Sequence, residues 1–262
     1  MTETLQADLA SGTLAEAISD IAEDAARVIL PYWRASAVVE VKADDSPVTQ
    51  ADREAETLIL SRLAALYPGI QAVAEEAVAA NGAPALAEEW FWLIDPLDGT
   101  RGFVAGRETF TVNIALIHNG APVAGVVVAP ATATTWCGGP EKGGGILRRR
   151  FGEPWQTVRV RDRPATPLAL LSHSMSDDEA ERLAARHGCA QWQGMDSSLK
   201  FCLIAEGRFD AYPRTGPTSE WDTAAGQAVL EAAGGRVLDD DGQPLAYGKP
   251  HFLNGPFVAL GG

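Results

Sequence analysis

Apolar side chains at Leu14, Ile18, Ile21, Ala25 and Val28 recur every three or four positions, the period of a helix with one buried face. Pro31 predicts its end near Leu30. Ala55, Leu58, Ile59, Leu63 and Leu66 repeat the pattern and predict a second helix from about Thr49 to Leu66, stopped by Pro68-Gly69. From Trp90 the period changes. Trp90-Phe91-Trp92-Leu93-Ile94 is apolar without interruption and breaks into Asp95-Pro96, which predicts a strand buried on both faces and ending in a polar turn. Phe110 to Ile117 and Val123 to Ala129 are further strand-like runs, and the Asn-Gly of His118-Asn119-Gly120 between them signals a hairpin. Gly138 to Gly152 reads as a loop or ragged hairpin whose glycines lack P-loop spacing.

Beyond Pro164-Ala165-Thr166-Pro167 strands and helices alternate. A strand is predicted at Leu168 to Leu171, then a helix opened by a capping box at Ser176-Asp177-Asp178-Glu179 and closed near Gly188. Elements at Ser198 to Ala205, Trp221 to Ala233 and Arg236 to Leu238 follow. The proline-rich junction predicts two domains, residues 1–163 with an antiparallel sheet flanked by helices and a smaller α/β unit, residues 164–262.

Composition narrows the functional classes. The 262 residues are 46% hydrophobic and carry a formal charge of −14, so the chain is a folded protein without the basic surface that a polyanion needs. Nucleic acid is therefore excluded as a general partner. The charge is lopsided: residues 1–131 hold 7 basic against 19 acidic side chains, residues 132–262 hold 14 against 16. Three cysteines, Cys137, Cys189 and Cys202, form no CxxC pair, as expected in a reducing compartment. Met1 to Ser11 is acidic and polar, unlike a signal peptide, and no apolar run reaches the roughly 20 residues of a membrane helix. A cytoplasmic protein without an integral membrane segment is the expectation.

The chemistry concentrates in Asp95-Pro96-Leu97-Asp98-Gly99-Thr100, where two carboxylates and a hydroxyl end an apolar strand. Carboxylates so placed need a cation or dense hydrogen bonding. Hard oxygen donors at this density suit Mg²⁺, with the Leu97 carbonyl as a further donor, although a helix cap with Asp98 at the N-cap explains the same residues. The covalent-aspartate phosphatase pattern, with its two acids two positions apart, is disfavoured by the spacing of three here. Glu75-Glu76 and Asp222, the latter opening a small-residue helix, are the other candidate acids; solvated surface and a simple N-cap are their structural alternatives.

Together these segments resemble the inositol monophosphatase superfamily of Mg²⁺-dependent, lithium-sensitive phosphatases over nearly the whole chain. The resemblance rests on Asp45 to Asp52, on Asp95 to Thr100 with Phe110 to Ile117, on Gly194 to Leu203, and on Tyr212 to Gly226. The last two stretches are closer to its bisphosphate nucleotidase branch. The resemblance implies a layered α/β sandwich of the inositol monophosphatase and fructose-1,6-bisphosphatase kind. It also implies two or three Mg²⁺ per site: Glu75, Asp95 and the Leu97 carbonyl around one, and Asp95, Asp98 and Asp222 around another. Asp52 and Thr100 match the pair that orients and deprotonates the attacking water. The helix after Gly99 would offer backbone amides of Thr100 and Arg101 to the phosphate, Gly99 and Thr100 being substrate contacts, and Ser197, Lys200, Arg214 and His173 match nucleotide-holding positions. Arg101-Gly102 stands where Lys-Glu is usual, and Ala77 where an acid is common.

The implied reaction removes the 3′-phosphate of adenosine 3′,5′-bisphosphate by attack of a metal-activated water, in sulfate assimilation. Hydrolysis of inositol, histidinol or sugar phosphates is the alternative within the superfamily, and a noncatalytic metal- and anion-binding regulator the alternative outside it. Oligomeric state and peripheral association with the inner membrane stay open.

Overall fold

The computed structural model describes residues 3–35, 39–41, 47–139 and 145–262. Asp45 and Ser46, which open the first motif stretch, lie outside the described residues. The chain starts with α1 (Glu3–Ser11) and α2 (Thr13–Ile29), followed by a 3-10 turn (Leu30–Tyr32) where Pro31 ends the helix. The short strands β1 (Val39–Val41) and β2 (Pro47–Thr49) lead into α3 (Gln50–Leu66). Both helices follow the hydrophobic period, with Ile18, Ile21, Ile59 and Leu63 buried. Leu66, expected inward, is 44% exposed at the last position of α3. α1 carried no period to read, since it buries Leu5 alone.

Next come β3 (Gln71–Ala74), α4 (Glu75–Asn81), β4 (Trp90–Asp98) and α5 (Thr100–Val104). β5 (Thr111–His118) and β6 (Ala121–Ala129) form the expected hairpin; Asn119 at φ 50° and Gly120 at φ 74° supply the two left-handed residues of its tight turn. β7 (Thr134–Gly138), β8 (Ile146–Arg150) and β9 (Gln156–Val158) complete a seven-stranded sheet in chain order from β3 to β9. Gly138 to Gly152 is thus partly a β7–β8 hairpin, with residues 140–144 outside the described residues.

The remainder is β10 (Leu168–Ser172), α6 (Asp177–Arg186), β11 (Gln191–Met195), α7 (Leu199–Ala205), β12 (Ala211–Arg214), β13 (Thr218–Ser219), a 3-10 turn (Glu220–Asp222), α8 (Ala224–Ala232), β14 (Arg236–Asp239), β15 (Leu253–Asn254) and β16 (Phe257–Leu260). A five-stranded sheet runs β11-β10-β12-β16-β14. Ser176 precedes α6 as expected but makes no side-chain capping bond, so the capping box is absent there.

Alternation along the strands stacks the layers. Trp92 and Ile94 face a core shared with α2 and α3, whereas Phe91 and Leu93 face one shared with α7 and α8. In the second sheet Leu170 joins that middle core and Ala169 and Leu171 turn to α6. The order is helices, sheet, helices, sheet, helix, and the strands between helical layers are apolar on both faces for that reason. Burying each large apolar side chain contributes about 1.5–3 kcal/mol. The seven-stranded sheet lies before Pro164 and the five-stranded one after it, while the middle core draws on both.

α8 lies close to its neighbours because small residues admit it. A Cβ on Gly125 of β6 would stand 2.7 Å from that of Ala228, and one on Gly226 would enter the Phe201 ring. This fit sets where the N-terminus of α8 meets the first sheet.

Candidate active site

β4 carries Asp95 and Asp98, which an even two-residue alternation would place on opposite faces. Its pairing with β5 slips between them: Asp95 faces Asn113 and Asp98 faces Thr111, so three steps on β4 match two on β5. The extra residue turns Leu97 into the α2/α3 core and leaves both acids near one another. The strand does not end at Asp95-Pro96 as its sequence suggests, because the bulge accommodates the proline, which has no N–H to pair. Leu97 N–H donates to Asp95 Oδ1 at 3.0 Å.

β3 lies parallel to β4 with Ala74 opposite Ile94, which brings Glu75, the first residue of α4, beside Asp95. Asp222 arrives from the turn before α8, its Oδ2 accepting from Ser219 N–H at 2.9 Å. Thr223, not Asp222, is the N-cap of α8, and Gly99, not Asp98, that of α5. Neither carboxylate is the N-cap that was its structural alternative, although one oxygen of Asp222 serves the capping box of the 3-10 turn through Ser219 N–H.

Burial holds the Asp95 carboxyl well above its ordinary pKa, and the charges of Glu75, Asp98 and Asp222 push it further the same way. Asp222 is raised by burial and then by Asp98 and Glu75. Asp98 is raised by burial against the opposing pull of Lys200, Ser198 and Asn113. Ser198 is the joint between them. Its N–H and hydroxyl reach Asp98 Oδ2 at 2.5 and 2.8 Å, the hydroxyl also stands 2.6 Å from the Asp222 carbonyl, and it accepts from Asn113 Nδ2 at 2.9 Å. Sequence reading passed over Ser198 because a buried serine has no pattern of its own.

Asp52 sits at the third position of α3 and accepts from Thr49 N–H and Oγ1 at 2.8 and 2.7 Å through Oδ2. Its Oδ1 stands 3.4 Å from Thr100 Oγ1, which also lies 3.0 Å from the Leu97 carbonyl. The structure therefore brings together the two residues matched to water activation. Gly99 is obligatory between them and the cleft: its φ is 89°, and a Cβ would stand 3.0 Å from the Thr109 carbonyl. α5, five residues long, is too short for a substantial dipole, so any phosphate contact there rests on individual amides.

A cavity of about 540 Å³ opens over these groups. Glu75, Asp98, Gly99, Thr100 and Asp222 line it, as do the expected nucleotide contacts His173, Ser197, Lys200 and Arg214; Asp52, Asp95 and Leu97 lie behind the wall. Lys200 is buried, and its Nζ donates to the Met195 and Ser197 carbonyls at 3.2 and 2.7 Å. Burial brings its pKa down to about 8, against the attraction of Asp98 and Asp196. Arg214 donates to the Gly216 and Pro217 carbonyls at 3.3 and 3.4 Å. Ser197 adopts a left-handed φ of 59°, and His173 is exposed at the rim. Arg107 and Asp196, which also line the cavity, were not singled out in the sequence: their partnership at 2.8 Å spans 89 positions.

Among the described residues no three carboxylate, imidazole or thiol groups stand close enough to hold an ion by themselves. The donor set fits Mg²⁺ in its usual manner, one or two carboxylates completed by water, carbonyl and phosphate oxygens. Asp95 and Asp222, whose carboxyls are pushed up by burial and by the charges of neighbouring acids, gain from a cation in their midst.

Mutually repelling acids below and basic side chains around the opening suit the hydrolysis of a phosphate ester. The sequence matches the inositol monophosphatase family over residues 12–258, and the chain belongs to that family of metal-dependent phosphatases. Among its relatives, the 3′(2′),5′-bisphosphate nucleotidase CysQ of Salmonella typhimurium is 42% identical over 92% of this chain and 97% of its own. The crystal structure of CysQ from Bacteroides thetaiotaomicron superposes with a TM-score of 0.77 at 31% identity, covering 96% of this chain and 97% of that one. An inositol monophosphatase from Zymomonas mobilis gives 0.74 at 26%, covering 99% and 94%. No helix among the described residues is long and apolar enough to cross a membrane.

Proposed function

We propose that the chain hydrolyses the 3′-phosphate of adenosine 3′,5′-bisphosphate, giving AMP and inorganic phosphate, as a step of sulfate assimilation. The observation that carries this reading is the two-ended cavity, acidic at Glu75, Asp98 and Asp222 and basic at Lys200 and Arg214, of a size suited to one nucleotide. The names of the relatives support the substrate class.

In this reading Glu75, Asp95 and the Leu97 carbonyl would hold one Mg²⁺, and Asp95, Asp98 and Asp222 would contribute to a second whose remaining ligands are water and phosphate oxygens. Bound Mg²⁺ supplies charge neutralisation and a lowered water pKa. The chain supplies the proton path. With its own proton turned toward Asp52 Oδ1, Thr100 Oγ1 accepts a hydrogen bond from the attacking water and so aims it at phosphorus. Asp52, fixed by Thr49 through its other oxygen, takes up the proton. The bond from phosphorus to the ribose 3′-oxygen breaks with its electron pair going to that oxygen, which takes a proton from solvent water and leaves as a hydroxyl, and Asp52 returns its own proton to solvent. Thr100 and Arg101 present backbone amides to the reacting phosphate, beside Gly99. Ser197, Lys200 and Arg214 hold the other phosphate, and His173 stands beside the base. Because two of its three protons serve carbonyls, Lys200 acts mainly by holding the Ser197 turn and by its charge.

Three buried free thiols fit a cytoplasmic setting, and any association with the inner-membrane face would be peripheral. Phosphate release from the 3′,5′-bisphosphate, inositol 1-phosphate and histidinol phosphate, with and without EDTA and lithium, tests the reading. The nucleotide should be preferred by about tenfold or more in kcat/KM, the scale of one hydrogen bond to a charged group at about 1.5–3 kcal/mol. Hydrolysis of the nucleotide no faster than of inositol 1-phosphate would overturn it.

A further inference from the structure

Arg107 stands in the cavity wall in a position its surroundings have prepared. Its backbone N–H donates to the Gly102 carbonyl at 2.9 Å, and its carbonyl accepts from Trp33 Nε1 at 3.1 Å. The side chain donates through Nε alone, to Asp196 Oδ2 at 2.8 Å; Thr109 Oγ1 donates to the same oxygen at 3.3 Å. A guanidinium has five N–H donors in a rigid fork. Neutralising Asp196 uses one of them, and among the described residues no protein group takes the four on Nη1 and Nη2. The side chain keeps 38% of its surface exposed, and Arg107 and Asp196 both line the cavity, as do Gly102 and Ser197.

Gly102 is part of the arrangement. A Cβ there would stand 3.1 Å from Asp196 Oδ2 and 3.3 Å from Arg107 Nε, so any larger residue would press on the ion pair. The room that glycine leaves is the room the pair fills. A planar fork with one edge locked by a carboxylate is preorganised to bind a phosphate through its remaining donors.

We infer that Arg107 is a specificity-determining residue whose terminal nitrogens bind the substrate's second phosphate, the one that is not cleaved. This rests on the nucleotidase reading above. It assigns to Arg107, through Asp196 and Gly102, a preference for bisphosphorylated over monophosphorylated nucleotides.

The test compares Arg107→Gln and Arg107→Lys with the unaltered enzyme on adenosine 3′,5′-bisphosphate and on adenosine 3′-monophosphate, which lacks the second phosphate. Arg107→Gln should lower kcat/KM for the bisphosphate roughly 10- to 100-fold, mainly through KM, and change that for the monophosphate by less than about threefold. Arg107→Lys, which keeps the charge and loses the fork, should recover part of the loss. Equal losses on both substrates, or none on the bisphosphate, would overturn the assignment while leaving the nucleotidase reading intact. Failure of the unaltered enzyme to hydrolyse either nucleotide would overturn both.

Discussion

Ser198→Ala is the substitution whose effect the structure specifies most fully. The hydroxyl is buried and meets three groups: Asp98 Oδ2, the Asp222 carbonyl and Asn113 Nδ2. Its single proton serves either Asp98 or the Asp222 carbonyl, so one charge-assisted bond at most is lost outright. Asn113 Nδ2 loses its 2.9 Å acceptor and keeps only Asp98 at 3.4 Å, and whichever of Asp98 and the Asp222 carbonyl held the proton loses that donor. Asp98 retains the Ser198 N–H. One such bond with its stranded buried partners amounts to about 2–4 kcal/mol. For a chain of this size that lowers the melting temperature by roughly 5–12 °C. Because the same hydroxyl ties the strand bearing Asp98 to the turn bearing Asp222, half-saturation by Mg²⁺ should also rise by about tenfold or more, as when supports of metal ligands are removed. Ser197→Ala is the internal control: its hydroxyl accepts only from Leu199 N–H at 3.3 Å, so its melting point should move by less than about 3 °C. Thermal melts and Mg²⁺ titrations of phosphate release read both quantities. A Ser198→Ala protein that melts within ~1 °C of the unaltered one and needs no more Mg²⁺ would refute the reasoning.

Asp95→Asn removes one of four mutually repelling acids while keeping an oxygen for Leu97 N–H, so the metal-free variant should melt at or above the unaltered protein and release no phosphate. Mg²⁺ at a hundredfold excess over its Kd should stabilise the unaltered protein by about 2.7 kcal/mol and the variant by less; full turnover in the variant would sink the metal assignment. Away from the cavity, burial works to raise the Asp210 pKa but bonds from Arg161 and Leu168 N–H outweigh it, so its folded value lies below the ordinary one. A depressed carboxylate contributes stability above its unfolded pKa, about 3.9, and loses it as pH falls below that. Asp210→Asn should therefore melt lower at neutral pH and converge with the unaltered protein in melts below about pH 4; a constant gap would contradict this.

The sequence shows elements wherever one period runs for several turns. α2 and α3 fall within a residue of expectation, and Asn119-Gly120 marks the hairpin. The site acids are legible because Asp95, Asp98 and the neighbouring hydroxyl crowd into six positions. What stays hidden depends on through-space partners. The bulge that brings Asp95 and Asp98 to one side is a relation between β4 and β5, and no single strand encodes it. Lys200 matches a nucleotide-holding position, but that the Met195 and Ser197 carbonyls hold its Nζ is a relation only the fold supplies. Ser176 has the residue type and spacing of a cap, yet its side chain makes no capping bond. Arg107 and Asp196 meet only because the loop after α5 and the turn before α7 share a wall of the cavity.

The helix between the two sheets also constrains how the chain comes into being. α8 ends at Ala232 of 262, yet it covers the face of β5, β6 and β7, all finished by Gly138. During synthesis the first sheet must wait roughly a hundred residues with Phe91, Leu93, Ile117 and Val127 uncovered, about 5–20 s at ordinary elongation rates. Closure then depends on contacts far apart in sequence, the kind that slow folding and lengthen exposure to other chains. Truncation before Ala224 should therefore yield an aggregating fragment rather than a smaller enzyme: segments made well after the first sheet form the inside of the molecule.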